Sequence, residues 1–218
     1  MAGTRARFIF EPVRFMPVEA TSPTACVILA AGESRRMGRP KQLLTYQGKS
    51  MLARTAEAAL AIPDIWPVVV VLGAHADLVR PSVIRLPVLV AENPAWVEGM
   101  ASSLRVGLEE VEQFSTHIDR ILFTLCDQPA LEPSTFRVLL DRQRETDHDI
   151  VAAHYGNHPG APAVIHRRRF PALAHLTGDA GARQLFKSLP ADSLTTVDLP
   201  ALATDLDTPE DYQSLVNP

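Results

Sequence analysis

The chain is poor in cysteine, in aromatic residues, in long apolar runs and in surplus positive charge. Only two cysteines, Cys26 and Cys126, occur in 218 residues, each within or at the end of an apolar run that reads as a strand. That count excludes a disulfide scaffold, and no cysteine pair has zinc spacing. Both read as buried thiols of a reduced, cytosolic protein, so a cytoplasmic location is expected. No apolar run reaches the roughly 18 residues a membrane helix needs, so no membrane partner is expected. Lys and Arg number 21 against 25 Asp and Glu, a net charge of -4, which argues against a nucleic-acid binder. The cluster His166-Arg167-Arg168-Arg169 is too short for a phosphate track and reads as a solvated helix start. Residues 1–23 carry Arg5, Arg7 and Arg14 but no continuous apolar stretch, so they do not read as a secretory signal. With Pro12, Pro17 and Pro23 they read as an irregular extension, partly disordered or paired as an edge strand through Phe8-Ile9-Phe10.

From residue 24 onward, strand and helix signals alternate. Apolar strand candidates are 25–30, 67–72, 86–91, 120–125, 149–154 and 162–166; helix candidates are 50–61, 101–113, 133–145, 180–188 and 208–216. Continuous apolar runs such as Val68-Val69-Val70-Val71-Leu72 suit strands covered on both faces. Helix starts are marked by Ser50, by Glu132-Pro133 and by Thr208-Pro209. The pattern predicts one α/β domain over residues 24–218: a doubly wound, mostly parallel, Rossmann-like sheet with helices on both faces. In such a sheet ligands gather beyond the carboxyl ends of the strands. Four polar clusters follow strand candidates there, at 31–41, 92–103, 126–129 and 155–160.

The first cluster is the most informative. Strand Val27-Ile28-Leu29 opens into Ala30-Ala31-Gly32, small residues that let a ligand lie against backbone N–H groups. Arg35, Arg36 and Lys41 add three cations to the same loop, the charge a triphosphate requires. The loop lacks the Walker spacing. A tight βα connection with a solvated basic face is the plainer reading. Yet Leu29-Ala30-Ala31-Gly32-Glu33-Ser34-Arg35-Arg36-Met37-Gly38, followed by Lys41, resembles the signature of the MobA-like nucleotidyltransferases, and every fixed position is filled. Cys126-Asp127-Gln128-Pro129 is similar to the form found in molybdenum cofactor cytidylyltransferases, as is Ala30-Ala31-Gly32. The resemblance covers residues 25 to about 214 and implies a nucleotide-diphospho-sugar transferase-like fold.

It also implies roles. Leu29, Ala30, Ala31, Gly32 and Ser34 would hold the nucleotide, with Gly99 and Ser103 contacting it from the next cluster. Arg36, Lys41 and Asp127 would be catalytic, the two cations stabilising charge on the α-phosphate and leaving pyrophosphate. A carboxylate at a strand tip facing a triphosphate suits Mg²⁺, although Asp127 could equally cap the following turn. The resemblance places the second Mg²⁺ ligand at Asp207, favoured over Asp205; Asp207 or Thr208 also suits a helix N-cap. In the third cluster, Ser102 reads as a plain N-cap and Trp96 as a packing residue. His158, Gly160, Asp179 and Arg183 lie in the acceptor-side half of the pattern, where Ala161 replaces the more frequent polar residue, so that a polar contact to the acceptor is either missing or supplied by His158. Asp179 and Arg183 could instead pair with each other. His154-x-x-x-His158 lacks a helix to present it, so no transition-metal site is expected.

The implied reaction is Mg²⁺-dependent transfer of CMP from CTP to molybdopterin or its molybdenum form, releasing pyrophosphate, with a molybdoenzyme as possible client. Guanylyl transfer, or transfer to another phosphorylated acceptor, is the alternative within the class. A non-catalytic cofactor-delivery protein is the alternative outside it.

Overall fold

The structure, a computed structural model, describes residues 23–179, 186 and 193–217. Nearly all of the predicted extension, the helix expected at 180–188 (Phe186 apart) and Arg183 lie outside the described residues. In chain order the elements are strand β1 (Thr24–Ala30), the small hairpin β2 (Thr45–Tyr46) and β3 (Lys49–Ser50), helix α1 (Met51–Leu60) and β4 (Ile65–Leu72). There follow α2 (Ala76–Val79), β5 (Leu89–Glu92), α3 (Met100–Phe114), β6 (Arg120–Leu125) and α4 (Pro133–Thr146). The described chain closes with β7 (Ile150–Tyr155), β8 (His158–His166), α5 (Phe170–Ala174), β9 (Leu194–Asp198) and α6 (Pro209–Val216).

Seven strands form one sheet in the order β5-β4-β1-β6-β8-β7-β9. All run parallel except β8, which is antiparallel to both β6 and β7. The expected doubly wound, mostly parallel sheet is therefore what forms. Alternate residues of the central strands serve two cores. Cys26, Ile28, Val68 and Val70 pack with Leu52 and Ala56 of α1 and Phe136 and Leu139 of α4. Val27, Val69 and Val71 pack with Leu104, Leu108 and Val111 of α3 and Phe170 and Leu173 of α5. Helices thus cover both faces, and the two cysteines are free, buried thiols.

The differences from expectation have local causes. The strand expected at 86–91 starts only at Leu89, because Pro87 has no N–H and the Leu86 and Val88 amides bond back to Val83 and Leu86 carbonyls. The last strand candidate starts earlier, at His158, because Gly156 at φ 63° closes a tight hairpin from β7. Strand β9, a half-exposed run of Leu194-Thr195-Thr196-Val197-Asp198, pairs parallel with β7 and has no continuous apolar signal. The basic run after His166 is a single tight turn whose Arg168 and Arg169 both reach the Asp149 carboxylate. Ser50 accepts the Ala53 amide as the N-cap of α1.

Helix α3 lies close on the sheet through Gly107. A Cβ built there would stand 2.4 Å from Cγ1 of Val27, which is fully buried on β1. Alanine would gain about 1 kcal/mol of helix propensity but overpack the core, which costs about 1–3 kcal/mol. Gly107→Ala is therefore expected to lower the urea midpoint. A variant as stable as its parent would show that α3 can lift from β1 without cost.

Candidate functional site

The parallel strands point their carboxyl ends to one edge, and the antiparallel turn of β8 brings the β7–β8 hairpin to the same edge. Two adjoining clefts open there, of about 460 Å³ and about 360 Å³. Leu29, Lys41, Met100, Leu125, Asp127 and Asp179 line both.

The larger cleft is built on the loop after β1. Ala30, Ala31 and Gly32 line it, together with Glu33, Arg35 and Gln42. A Cβ at Gly32 would meet nothing within 4 Å, so the backbone faces open space. The loop is held from behind by Gln42, which is 1% exposed and donates through Nε2 to the carbonyls of Ala30 and Gly32, each at 2.9 Å. Ser34 sits at φ 60°; its hydroxyl donates to Gln42 Oε1 at 3.3 Å and accepts the Lys41 amide at 3.1 Å. Its carbonyl accepts the amides of Met37 and Gly38. Ser34 is thus spent inside the loop and does not line the cleft, so its geometry suits holding Lys41 in place. Gly38 at φ 72° allows the chain to turn there.

Opposite this loop lie Gly99 and Ser103 at the start of α3, with Trp96, Val97 and Met100. Gly99 has φ 101° and meets the following segment closely: a Cβ would fall 2.3 Å from Asp179 Oδ1. Asn93, buried, donates to both Ser102 Oγ at 2.8 Å and Ser103 Oγ at 3.0 Å. Ser102 in turn donates to the carbonyls of Gly99 and Ala95, so it closes the turn rather than capping through an amide, and Gly99 holds the N-cap position. Trp96, read as a packing residue rather than a stacking platform, lines the cleft.

At the junction the Lys41 ammonium bonds Asp127 Oδ2 and lies 3.3 Å from Asp207 Oδ1. Arg36 donates to Asp207 Oδ2 at 2.8 Å. Burial alone would pull the Lys41 pKa down, but Asp127, with Asp207 adding to it, holds the ammonium above its ordinary range. Asp205 is pushed up to about 6, first by burial and then by the charges of Asp127 and Asp207. Burial also pushes the neighbouring Cys126 thiol up to about 12, with Asp127 adding, so it is no nucleophile at neutral pH. Asp127 does not serve as a turn cap: one oxygen meets Lys41, while Oδ1 is buried without a partner. Thr208, not Asp207, caps α6 in a reciprocal box with Asp211, which leaves the Asp207 carboxylate free to face Lys41 and Arg36.

The smaller cleft is walled by Arg36, Tyr155, Gly160, Ala161, Asp205 and Asp207, with Leu104, Phe123 and Phe186 as its apolar floor. Gly160 and Asp179 therefore line it as their position suggested. His158 does not; it is exposed at the hairpin with its ring 6.2 Å from that of Tyr155. His154 pairs with Asp198 at 2.9 Å. Sequence reasoning gave no role to Gln42, Asn93, Gln128 and Tyr155. Each directly follows an ionisable residue (Lys41, Glu92, Asp127 or His154), and no local pattern separates it from an exposed polar side chain.

A model of the MobA-like NTP transferase domain matches residues 26–194. The chain belongs to this family. Its relatives include nicotine blue oxidoreductase of Paenarthrobacter nicotinovorans, 36% identical over 171 residues, covering 75% of this chain and 81% of that protein. Molybdenum cofactor guanylyltransferase of Aliivibrio fischeri is 26% identical over 196 residues, covering 87% and 94%. Among solved structures, Rv0371c of Mycobacterium tuberculosis H37Rv superposes with a TM-score of 0.75 at 32% identity, covering 91% of this chain and all of that one. A second structure of Rv0371c is a complex with manganese.

This member of the MobA-like family depends on Gln42 to shape its loop. Gln42→Leu leaves the Ala30 and Gly32 carbonyls without that donor, and is expected to cost about 1–3 kcal/mol in denaturant unfolding. Unchanged stability would show that the loop holds its curl without the amide.

Proposed function

We propose that the chain is a nucleotidyltransferase that moves CMP from CTP to molybdopterin or its molybdenum form, with release of pyrophosphate. The observation that carries the transfer reading is the Lys41 ammonium set between Asp127 and Asp207, where the two clefts meet. Family membership and the named molybdenum cofactor guanylyltransferases support the reaction class and the acceptor. The choice of CTP over GTP rests on Ala30-Ala31-Gly32 and Cys126-Asp127-Gln128-Pro129, which resemble the cytidylyl form. The larger cleft would take the nucleotide against Ala31, Gly32, Gly99 and Ser103, and the smaller one the acceptor.

The donor set suits a hard cation. Asp127 and Asp207 offer carboxylate oxygens, and the buried Asp127 Oδ1 lacks a partner. Among the described residues no group of three or more such side chains is arranged to hold a metal. Two carboxylates are nevertheless what Mg²⁺ takes when substrate phosphates and water complete its shell. When bound, Mg²⁺ would neutralise charge on the phosphates. That Rv0371c has been solved as a manganese complex supports the use of a divalent ion in this family.

The chain's own residues do the remaining work. The loop backbone at Ala31 and Gly32 approaches the phosphates, and Lys41 offsets the charge that builds on the α-phosphate as an acceptor oxygen attacks in line. Arg36, 71% exposed, can swing from Asp207 to meet a phosphate. No covalent enzyme intermediate is required. No described helix is long and apolar enough to cross a membrane, which suits a chain that meets free nucleotide and cofactor.

Pyrophosphate release with Mg²⁺, purified molybdenum cofactor and either CTP or GTP tests the reading. Release with CTP supports cytidylyl transfer, and release with GTP alone moves the chain to guanylyl transfer. Nucleotide binding without release with either would favour a delivery role or a different activity, as the relative named for an oxidoreductase illustrates. Lys41→Ala and Asp127→Ala are each expected to lower turnover by about two to three orders of magnitude. Near-parental turnover in either variant would remove that residue from the chemistry.

A further inference from the structure

Gln128 follows Asp127 and is 2% exposed, yet nothing in the transfer scheme above uses it. Its Nε2 lies 3.1 Å from the Tyr155 hydroxyl, 3.2 Å from the Leu202 carbonyl and 3.4 Å from the Ala161 carbonyl. Carbonyl oxygens only accept, so the NH₂ end of the amide must face them. The partners come from three separate segments: the end of β7, the middle of β8 and the turn after β9. Tyr155 donates onward to the Ala161 carbonyl at 2.8 Å, which closes the cluster. A Cβ on Gly160 would stand 2.6 Å from the Tyr155 hydroxyl, so the ring sits directly on that glycine.

The same strand tip also holds the carboxylate segment. The Leu206 amide donates to the Asp127 carbonyl at 2.9 Å, between Asp205 and Asp207. Gln128 and the Asp127 backbone together therefore tie three things to the tip of β6. These are the hairpin wall of the smaller cleft, the Leu202 turn, and the segment that carries the second carboxylate.

We infer that Gln128 is a positioning residue for group transfer. It keeps the Tyr155–Gly160–Ala161 wall and the Asp205–Asp207 segment in register with Asp127, so that an acceptor in the smaller cleft meets the nucleotide in line. The inference rests on the nucleotidyl-transfer reading. It assigns Gln128 chiefly to the acceptor side, because Tyr155 and Ala161 of its cluster line the smaller cleft and none of Gln128, Tyr155, Ala161 and Leu202 lines the larger one. Misplacing an acceptor by about 1 Å can cost about 10²-fold in rate.

The test uses the full chain with Gln128→Leu and, as a milder break of the same cluster, Tyr155→Phe. Pyrophosphate release is measured with CTP, Mg²⁺ and purified molybdenum cofactor, and CTP binding by calorimetry. Gln128→Leu is expected to lose about 10²-fold in kcat/KM for the cofactor while its KM for CTP and its CTP affinity stay at parental values. Tyr155→Phe should lose less, in the same direction. Hydrogen exchange should quicken in residues 155–163 and 199–207 and not in 30–42. Parallel loss of CTP affinity, parental kcat/KM in both variants, or unchanged exchange would each overturn the inference. If Gln128→Leu does not fold, Tyr155→Phe decides by the same measures. If the parent releases no pyrophosphate with CTP or GTP, the functional reading falls, and the exchange comparison still decides whether the amide clamps these segments.

Discussion

The ammonium of Lys41 joins parts of the chain that are far apart in sequence. Its bond to Asp127 spans 86 positions and its contact with Asp207 spans 166. The loop after β1, the tip of β6 and the segment before α6 all meet at this ammonium. With side chains 21% and 8% exposed, Lys41 and Asp127 sit where water screens little, so removing either leaves a largely desolvated charge. The Arg36–Asp207 pair is more exposed and contributes less to stability. Its value lies in freedom: a cation on a long, hydrated side chain can exchange a carboxylate for a phosphate.

The sheet order explains why this meeting occurs. Strands β1 and β6 are neighbours at the centre of the sheet, paired in register from Thr24↔Arg120 to Leu29↔Leu125. Their carboxyl ends finish side by side, so Ala30 and Cys126 lead into loops that cannot avoid one another. Antiparallel β8 then fills the place beside β6 and brings its hairpin with β7 to the same edge. Strand β9 runs parallel to β7, so the chain emerging from it also arrives at that edge, carrying Asp205 and Asp207. One exception to a parallel sheet thus supplies the wall of the second cleft.

Much of this was legible in the sequence. Continuous apolar strands and well-marked helix starts define the fold because burial on both faces leaves a strong signature. Asp127 and Lys41 could be read from motif spacing, since each directly follows a strand or sits in the loop that one feeds. Edge strand β9 could not, because half-exposed Thr and Asp positions dilute its pattern. Nor could the division of labour between Asp207 and Thr208 be decided: either residue suits an N-cap, and only the reciprocal bonds with Asp211 assign the cap to Thr208. Ser34 is the converse case. Its place in the motif suggested ligand contact, while its positive φ and its bonds to Gln42 and Lys41 commit it to the loop. Buried amides such as Gln42, Asn93 and Gln128 escape sequence reading altogether, because their importance lies in which carbonyls and hydroxyls the fold brings to them.

The charge on the smaller cleft constrains what it can receive. Its described lining holds four carboxylates, Asp127, Asp179, Asp205 and Asp207, against two cations, Arg36 and Lys41. Asp205 shows the strain of that imbalance, with burial and two like charges raising its proton affinity. A phosphorylated acceptor would be repelled by such a wall unless a cation accompanied it. The same field would draw in a divalent ion held by substrate phosphates. An apolar floor of Leu104, Phe123 and Phe186 below the carboxylates adds the complementary demand. On the proposed reading, the acceptor would carry a phosphate toward Lys41 and a flat or apolar body away from it.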